Sequence, residues 1–193
     1  MQAYKYNDRE NNIRYEILDG EIVLMAPSPT IKHSDVMGNI YAIFKNYLKG
    51  KKCRVFSDNL DVYLDEKNIV QPDVKIVCNP DILKERRIEG APDLVVEVLS
   101  PSTAKKDKGY KKDLYERFGV KEYWIVEISN CSIEVYLLKD GSMTLDNIYQ
   151  IYPDYEIESL KEEGKLEEIV KEFKTSLFDD LIISVEDVFD KII

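Results

Sequence analysis

In the stretch APDLVVEVLSPST, residues 91–103, the run of valine and leucine at 94–99 is interrupted by one carboxylate, Glu97. A short apolar run of this kind predicts a buried strand. A carboxylate in an apolar interior loses its hydration, so it must be protonated, hydrogen-bonded, paired with a cation or bound to a metal ion. Glu97 therefore needs a partner. A structural ion pair or an exposed position at the edge of a sheet is the simplest way to satisfy it.

A second carboxylate, Asp73, follows Pro72 in VQPDVKIV, residues 70–77. Proline has no N–H for a sheet ladder, so Asp73 is predicted at the entrance of a strand, where it could also be an ordinary turn residue. Positions 73 and 97 are 24 apart, which is enough for two neighbouring strands and an ordered loop. If the strands are adjacent, both carboxylates reach one pocket, and a shared proton or a divalent cation would relieve their repulsion.

The ligand types in the chain favour magnesium or manganese over zinc. His33 is the only histidine, which excludes HExxH proteases and multi-histidine metal sites. The three cysteines, Cys53, Cys78 and Cys131, are widely spaced, form no CxxC pair and are predicted to be reduced packing residues. Hard carboxylate oxygens with no nitrogen or sulfur partner suit Mg²⁺ or Mn²⁺.

A cation of this kind is commonly accompanied by a lysine, and KKDKGYKK at 105–112 offers five. The segment lies in a helix predicted from about 103 to 118 with a buried stripe of Tyr110, Leu114 and Phe118. Helical geometry puts Lys111 and Asp107 on one flank of that stripe, whereas Lys108 and Lys112 point largely outward. Lys111 is therefore the lysine expected to reach the Glu97 strand. The alternative is a solvated ion pair between Lys111 and Asp107.

The remaining pattern predicts a sheet flanked by helices. YEILDGEIVLM, residues 15–25, has two apolar stretches around Asp19-Gly20 and predicts a β-hairpin. Apolar residues at helical spacing predict a first helix over about 33–49. Further strands are predicted at 53–57, 60–65, 69–78, 93–99, 123–128 and 132–138, and an amphipathic helix after about 158.

Composition places the chain among globular proteins of one domain, with 193 residues, 44% hydrophobic and 33% charged. No apolar run approaches the roughly 20 residues needed to cross a bilayer, and the polar N-terminus lacks the apolar core of a signal peptide, so we expect a cytoplasmic protein without a membrane partner. The net charge of -10 argues against a surface that attracts nucleic acid everywhere. Residues 105–112 nevertheless form a local basic segment.

Several segments together resemble the Uma-two family of restriction endonucleases, a branch of the PD-(D/E)xK nuclease superfamily. They are RYEILDGEI, PSPTIKH, VQPDVKIV, APDLVVEVLSPST, DKGYKKDLYERFGVKEYWIVE and IEVYLL, with a weaker continuation in SLFDDLIISVEDVF. The resemblance implies an α/β (α+β) fold, a restriction-endonuclease-like mixed sheet flanked by helices with an N-terminal hairpin extension. We expect one domain over 1–193, with a core at about 14–138 and a C-terminal extension at about 139–193.

The resemblance also implies a set of site residues. Asp73 and Glu97 would bind the metal ion, together with the Val98 carbonyl. The superfamily pattern has its lysine two residues after the glutamate, where this chain has Leu99, and Lys111 from the following helix is the natural substitute. The further pocket candidates are Glu16, His33 and Asp107.

The function implied is Mg- or Mn-dependent hydrolysis of DNA phosphodiester bonds. We expect a homodimer, because a symmetric dimer is the common device for cutting two strands. One alternative is a catalytically inactive module on the same fold that binds nucleic acid or protein. Another is a metal-free hydrolase of sugars, which would use two carboxyl groups about 5 to 9.5 Å apart.

Overall fold

The computed structural model describes residues 14–25, 28–57, 60–101 and 104–192. The strands in these ranges are β1 Tyr15–Leu18, β2 Glu21–Leu24, β3 Arg54–Phe56, β4 Val62–Tyr63, β5 Ile69–Val70, β6 Val74–Val77, β7 Ile88–Glu89, β8 Leu94–Val98, β9 Glu122–Glu127, β10 Ser132–Lys139, β11 Ser142–Gln150, β12 Glu172–Lys174 and β13 Ile182–Ser184. The helices are α1 Ile31–Tyr47, α2 Ala104–Lys106, a π-helix Asp107–Lys111, α3 Lys112–Arg117, α4 Asp154–Glu162 and α5 Val185–Val188, with short 3-10 turns at Pro80–Ile82 and Leu166–Glu168.

The central sheet has six strands in the order β11-β10-β9-β8-β6-β3. β8 and β9 are parallel, and every other pairing in this sheet is antiparallel. All residues of β6 and β8 are buried, which explains why these strands are apolar at almost every position instead of alternating. In a strand that is buried at every position, the carboxylate of Glu97 needs a partner.

Each face of the central sheet carries its own hydrophobic layer. Val36, Ile40 and Phe44 of α1 pack on one face together with Trp124. On the opposite face lies the composite helix, residues 104–117, formed by α2, the π-helix and α3 in succession. The two helical layers meet the sheet at the end where β8 stops, and this geometry brings side chains from both layers to one place.

The N-terminal hairpin forms as predicted. β1 pairs with β2, and the turn residues Asp19 and Gly20 have φ values of 49° and 86°, the positive values that a type I′ turn requires. β1 also pairs with β5 inside a smaller sheet of order β2-β1-β5-β4-β7. The hairpin and the helix-flanked mixed sheet confirm the predicted fold class. The division into a core and a C-terminal extension stays a prediction.

The π-helix changes which residues of the composite helix are buried. A π-turn holds an extra residue and rotates the positions around it relative to an α-helix. Lys111 is only 2% exposed, whereas Tyr110 is 37% exposed and donates a hydrogen bond to Asp19 Oδ2 at 2.6 Å. The prediction that Tyr110 lies in the buried stripe is therefore wrong, although Leu114 is buried as expected.

The cysteine prediction is wrong for two of the three residues. Cys53 and Cys78 form a disulfide, because β3 and β6 are antiparallel and their register places these two residues side by side, just beyond Arg54 and Val77. Cys131 is free. The helix predicted after about 158 is wrong for most of its length: α4 spans Asp154–Glu162, Gly164 turns the chain with φ 71°, and Glu172–Lys174 form β12.

A cytoplasmic location stays a prediction. It has to be reconciled with the Cys53–Cys78 disulfide, because disulfides persist mainly in oxidising compartments. Across the four described ranges, no helix is long and apolar enough to traverse a bilayer.

Removing the disulfide with the double change Cys53→Ser and Cys78→Ser should lower the free energy of unfolding by about 3 kcal/mol, because the bond closes a loop of sequence separation 25 in the unfolded chain. Urea unfolding with and without reductant measures the change. Cys131→Ser is the control and should keep the sensitivity to reductant. An intact mass that showed three free thiols in unreduced protein would contradict the disulfide.

Candidate active site

Asp73 and Glu97 lie at the same end of two neighbouring strands. β6 and β8 are antiparallel with Val74 opposite Val96, so the next pair outward is Asp73 and Glu97. Asp73 Oδ2 accepts a hydrogen bond from the Val98 backbone N–H at 2.8 Å, which fixes the Asp73 side chain against the end of β8. A cavity of about 1070 Å³ opens here, and both carboxylates line it.

Glu97 finds its partners on the composite helix. Lys111 Nζ donates to Glu97 Oε1 at 2.9 Å, and the Tyr115 hydroxyl donates to the same oxygen at 2.8 Å. Lys111 and Tyr115 are one helical turn apart, so both side chains face the sheet. Lys108, in contrast, is bonded to Glu134 at 2.7 Å near the surface. The helix therefore delivers Lys111 to Glu97, as the sequence predicts, and its chemical role stays a prediction.

Glu16 links the hairpin to the same cluster. Its Oε1 lies 2.7 Å from Lys111 Nζ and accepts the Gln71 backbone N–H at 3.1 Å, while its Oε2 lies 2.8 Å from Lys106 Nζ. The Glu16 side chain has no exposed surface. Sequence reasoning found Glu16 but missed Lys106 and Tyr115. The spacing of Lys111 and Tyr115, four residues apart on one helix, was the signal that could have found the tyrosine.

Asp107 is close to Lys111 but is not its main partner. The two groups are 3.8 Å apart, longer than the contacts of Lys111 with Glu16 and Glu97. The Asp107 carbonyl accepts the Tyr123 hydroxyl at 3.1 Å. Because Lys111 is buried, the alternative of a solvated Asp107–Lys111 pair on the surface is wrong.

His33 approaches the site from the opposite layer. It lies in the first turn of α1, where the Thr30 hydroxyl accepts its backbone N–H at 3.2 Å. His33 Nε2 lies 3.0 Å from the Val98 carbonyl oxygen and 3.3 Å from Asp73 Oδ2. Burial alone would lower the pKa of His33, but the hydrogen bond and charge of Asp73, with help from the Val98 carbonyl, raise the pKa above its usual value.

The two glutamates differ in protonation because one ammonium serves both. Burial raises the pKa of Glu97 to about 8; Lys111 opposes this, and the charges of Asp107, Asp73 and Glu16 add to it. Burial also acts on Glu16, but Lys111 and Lys106 together outweigh it and lower its pKa to about 2. The pKa of Lys111 lies above its usual value, because its carboxylate neighbours outweigh burial. Burial therefore favours the protonated form of Glu97, whereas the two lysines favour the ionised form of Glu16.

The donor set is compatible with a hard divalent ion. Asp73 and Glu97 make their described contacts through one oxygen each, Oδ2 and Oε1. Within the part of the chain that is described, no group of three or more His, Cys, Asp or Glu side chains is arranged to hold a metal. Two carboxylates and one carbonyl nevertheless suit magnesium, which commonly keeps several water ligands.

Three comparisons relate the chain to known proteins. The family model Uma2, described as "Putative restriction endonuclease", matches residues 2–176. An uncharacterized protein of Synechocystis sp. is 31% identical over 161 residues, which cover 82% of this chain and 84% of the relative. The crystal structure of "a putative nuclease belonging to DUF820" from Anabaena variabilis has a TM-score of 0.69 at 19% identity and covers 93% of this chain and 91% of its own. At that identity the structural likeness establishes the fold.

The protonation difference predicts opposite effects of two matched substitutions in metal-free protein. Since Glu97 has a pKa of about 8 when folded and an ordinary value of 4.5, the folded state keeps a proton that the unfolded state loses, and stability falls as pH rises between these values. Glu97→Gln should remove this slope, which reaches at most about 1.4 kcal/mol per pH unit. The variant should therefore match or exceed wild type at pH 8.

Glu16→Gln is the matched control, with the opposite expected effect on the free energy of unfolding. The pKa of Glu16 is lowered from 4.5 to about 2, so its stabilising effect is present above pH 4.5 and is lost only as pH falls towards 2. At pH 7 the variant should lose about 3 kcal/mol. Urea unfolding in EDTA from pH 5 to 8 measures both variants. A loss of several kcal/mol at pH 8 for Glu97→Gln would identify the Glu97–Lys111 contact as a structural ion pair.

Proposed function

From the premise that the chain belongs to the Uma2 family of restriction endonucleases, we propose that it is an endonuclease that hydrolyses DNA phosphodiester bonds with Mg²⁺ or Mn²⁺. The observation that carries the proposal is the cavity where Asp73, Glu97 and the buried Lys111 come together. Perturbed ionisable groups that converge in a large cavity are typical of active sites.

Asp73, Glu97 and the Val98 carbonyl are the proposed metal ligands. Each carboxylate has a second oxygen, Oδ1 or Oε2, beyond the one used in the contacts described above. A bound divalent ion supplies a water of lowered pKa and stabilises negative charge on the phosphate. Glu97 must first lose the proton that burial helps it to keep, so metal affinity should rise with pH.

Lys111 is proposed to stabilise charge on the reacting phosphate. Two of its three N–H donors are directed at Glu16 and Glu97, and the third is available to a phosphate oxygen in the cavity that Lys111 lines. Its raised pKa keeps it protonated, which suits a donor to a developing oxyanion and does not suit a general base. Glu16 is a positioning residue, since it holds Lys111 from the side of the hairpin.

His33 is proposed to position Asp73. Its Nε2 lies within reach of both Asp73 Oδ2 and the Val98 carbonyl oxygen, the two proposed ligand groups at the end of β8. The α1 layer thereby orients one carboxylate, while the composite helix on the opposite face holds the other.

We further propose that the enzyme acts in the cytoplasm as a homodimer, since a symmetric pair of sites is the common device for cutting two strands. Light scattering of the purified protein tests the dimer. The rival function is a catalytically inactive binding module on the same fold. The observation that favours the rival is the engagement of Glu97 by Lys111 and Tyr115, which would have to adjust to an ion.

Asp73→Asn and Glu97→Gln should each reduce Mg-dependent cleavage of supercoiled DNA to the background rate, because each change removes a charge that holds the ion. Glu127→Gln is the matched control: Glu127 lines the same cavity but is bonded to Ser129 at 2.9 Å, and the variant should cleave like wild type. Gel assays with Mg²⁺, Mn²⁺ and EDTA measure the rates. Absence of cleavage by wild type with either ion would favour the binding module.

Lys111→Met should lower the cleavage rate constant by about 100-fold or more, because it removes a preorganised charge from the reacting phosphate. Lys108→Met on the same helix should have little effect, since Lys108 contacts Glu134 near the surface. Single-turnover cleavage measures the rate constants, and circular dichroism checks that both variants fold. Equal rates for the two variants would show that Lys111 has no role in the reaction.

A further inference from the structure

Two kinds of cationic side chain line the cavity. Lys106 and Lys111 are neutralised by carboxylates, since both contact Glu16 and Lys111 also contacts Glu97. Arg14 and Lys32 line the same cavity, and neither forms an ion pair with a carboxylate of the described ranges. The second kind of cation has its charge available to a ligand.

Arg14 is held in place by its backbone and not by its guanidinium. Its carbonyl accepts the Met25 backbone N–H at 2.9 Å, which closes the base of the hairpin. The guanidinium makes one long contact, from NH2 to Gln71 Oε1 at 3.5 Å, and its buried Nε has no hydrogen-bond partner in the described part of the chain. A buried donor left unsatisfied costs free energy, and an anionic oxygen in the cavity would remove that cost.

The two cationic residues lie on different elements of the cavity wall. Arg14 contacts Gln71, which lies two residues before Asp73 on the chain. Lys32 is exposed in the first turn of α1, next to His33, whose Nε2 contacts Asp73. Arg14 therefore belongs to the hairpin side of the cavity and Lys32 to the α1 side. Asp73 lines the same cavity.

The cavity wall between these cations is partly apolar. Val23, Leu24 and Met25 of the hairpin line it, and the Leu24 side chain is 68% exposed. A nucleic-acid strand offers both surfaces that this wall can contact, charged phosphates and apolar sugar and base faces. An acidic polypeptide offers mainly the charge.

We infer that Arg14 and Lys32 form a phosphate-binding site that holds the nucleic-acid backbone on the two sides of the reactive phosphate. The inference rests on the proposed function and adds the residues that bind the substrate. A chain with net charge -10 repels a polyanion at long range, so it needs cations without carboxylate partners at the place of contact.

The test is DNA binding without hydrolysis. A fluorescent 20-base-pair duplex is titrated with protein in EDTA at several salt concentrations, and anisotropy gives Kd. The double variant Arg14→Met and Lys32→Met should bind at least about tenfold more weakly, and the slope of log K against log salt should fall by about 1.8, because two phosphate contacts are lost. The matched control, Arg86→Met with Lys49→Met, also removes one arginine and one lysine, both outside the cavity, and should bind like wild type.

The outcomes separate this inference from the proposed function when Mg-dependent cleavage of the same duplex is measured in parallel. Weaker binding and a smaller slope in the cavity variant alone support the phosphate site, whether or not wild type cleaves. An unchanged Kd and slope, equal losses in both double variants, or no binding by wild type would each overturn it. Displacement of the duplex by polyglutamate at equal charge concentration would overturn it too, in favour of an acidic polypeptide.

Discussion

The buried ammonium of Lys111 is the interaction on which the site depends. Removing such a charge from water costs several kcal/mol unless carboxylates and hydrogen bonds replace the hydration. Here the carboxylates come from two different sheets, Glu16 from the hairpin and Glu97 from the central sheet. The composite helix can bury Lys111 only when both sheets are docked against it. The site and the tertiary fold therefore form together.

One ammonium cannot satisfy two carboxylates equally, and the unequal division has a chemical consequence. Glu16 also contacts Lys106, which favours its ionised form, whereas burial and the neighbouring carboxylates raise the pKa of Glu97 and favour its protonated form. Glu97, which contacts one lysine where Glu16 contacts two, is the glutamate that lines the cavity. Under the proposed function, Glu97 is therefore the group at which a bound divalent ion would take the place of a proton.

Net charge is a poor guide to the electrostatics of this cavity. The acidic residues of the chain argue against contact with nucleic acid, but the cations that matter are few and local. Lys106 and Lys111 organise the carboxylates, while Arg14 and Lys32 face the cavity without carboxylate partners among the described residues. In the phosphate site inferred above, such contacts would act at short range, whereas salt screens the more distant repulsion.

Features that depend on consecutive residues can be read directly from the amino-acid sequence. Asp19-Gly20 specified the hairpin, apolar runs specified β6 and β8, and the isolated carboxylate in β8 revealed that Glu97 needed a partner. Features that depend on the register between distant segments are visible only in the folded protein. The Cys53–Cys78 bond follows from the pairing of β3 with β6, and the contact of Glu16 with Lys106 follows from hairpin docking. The π-turn that buries Lys111 and leaves Tyr110 exposed is likewise not visible in the sequence, because a buried lysine needs carboxylates, and here two separate sheets supply them.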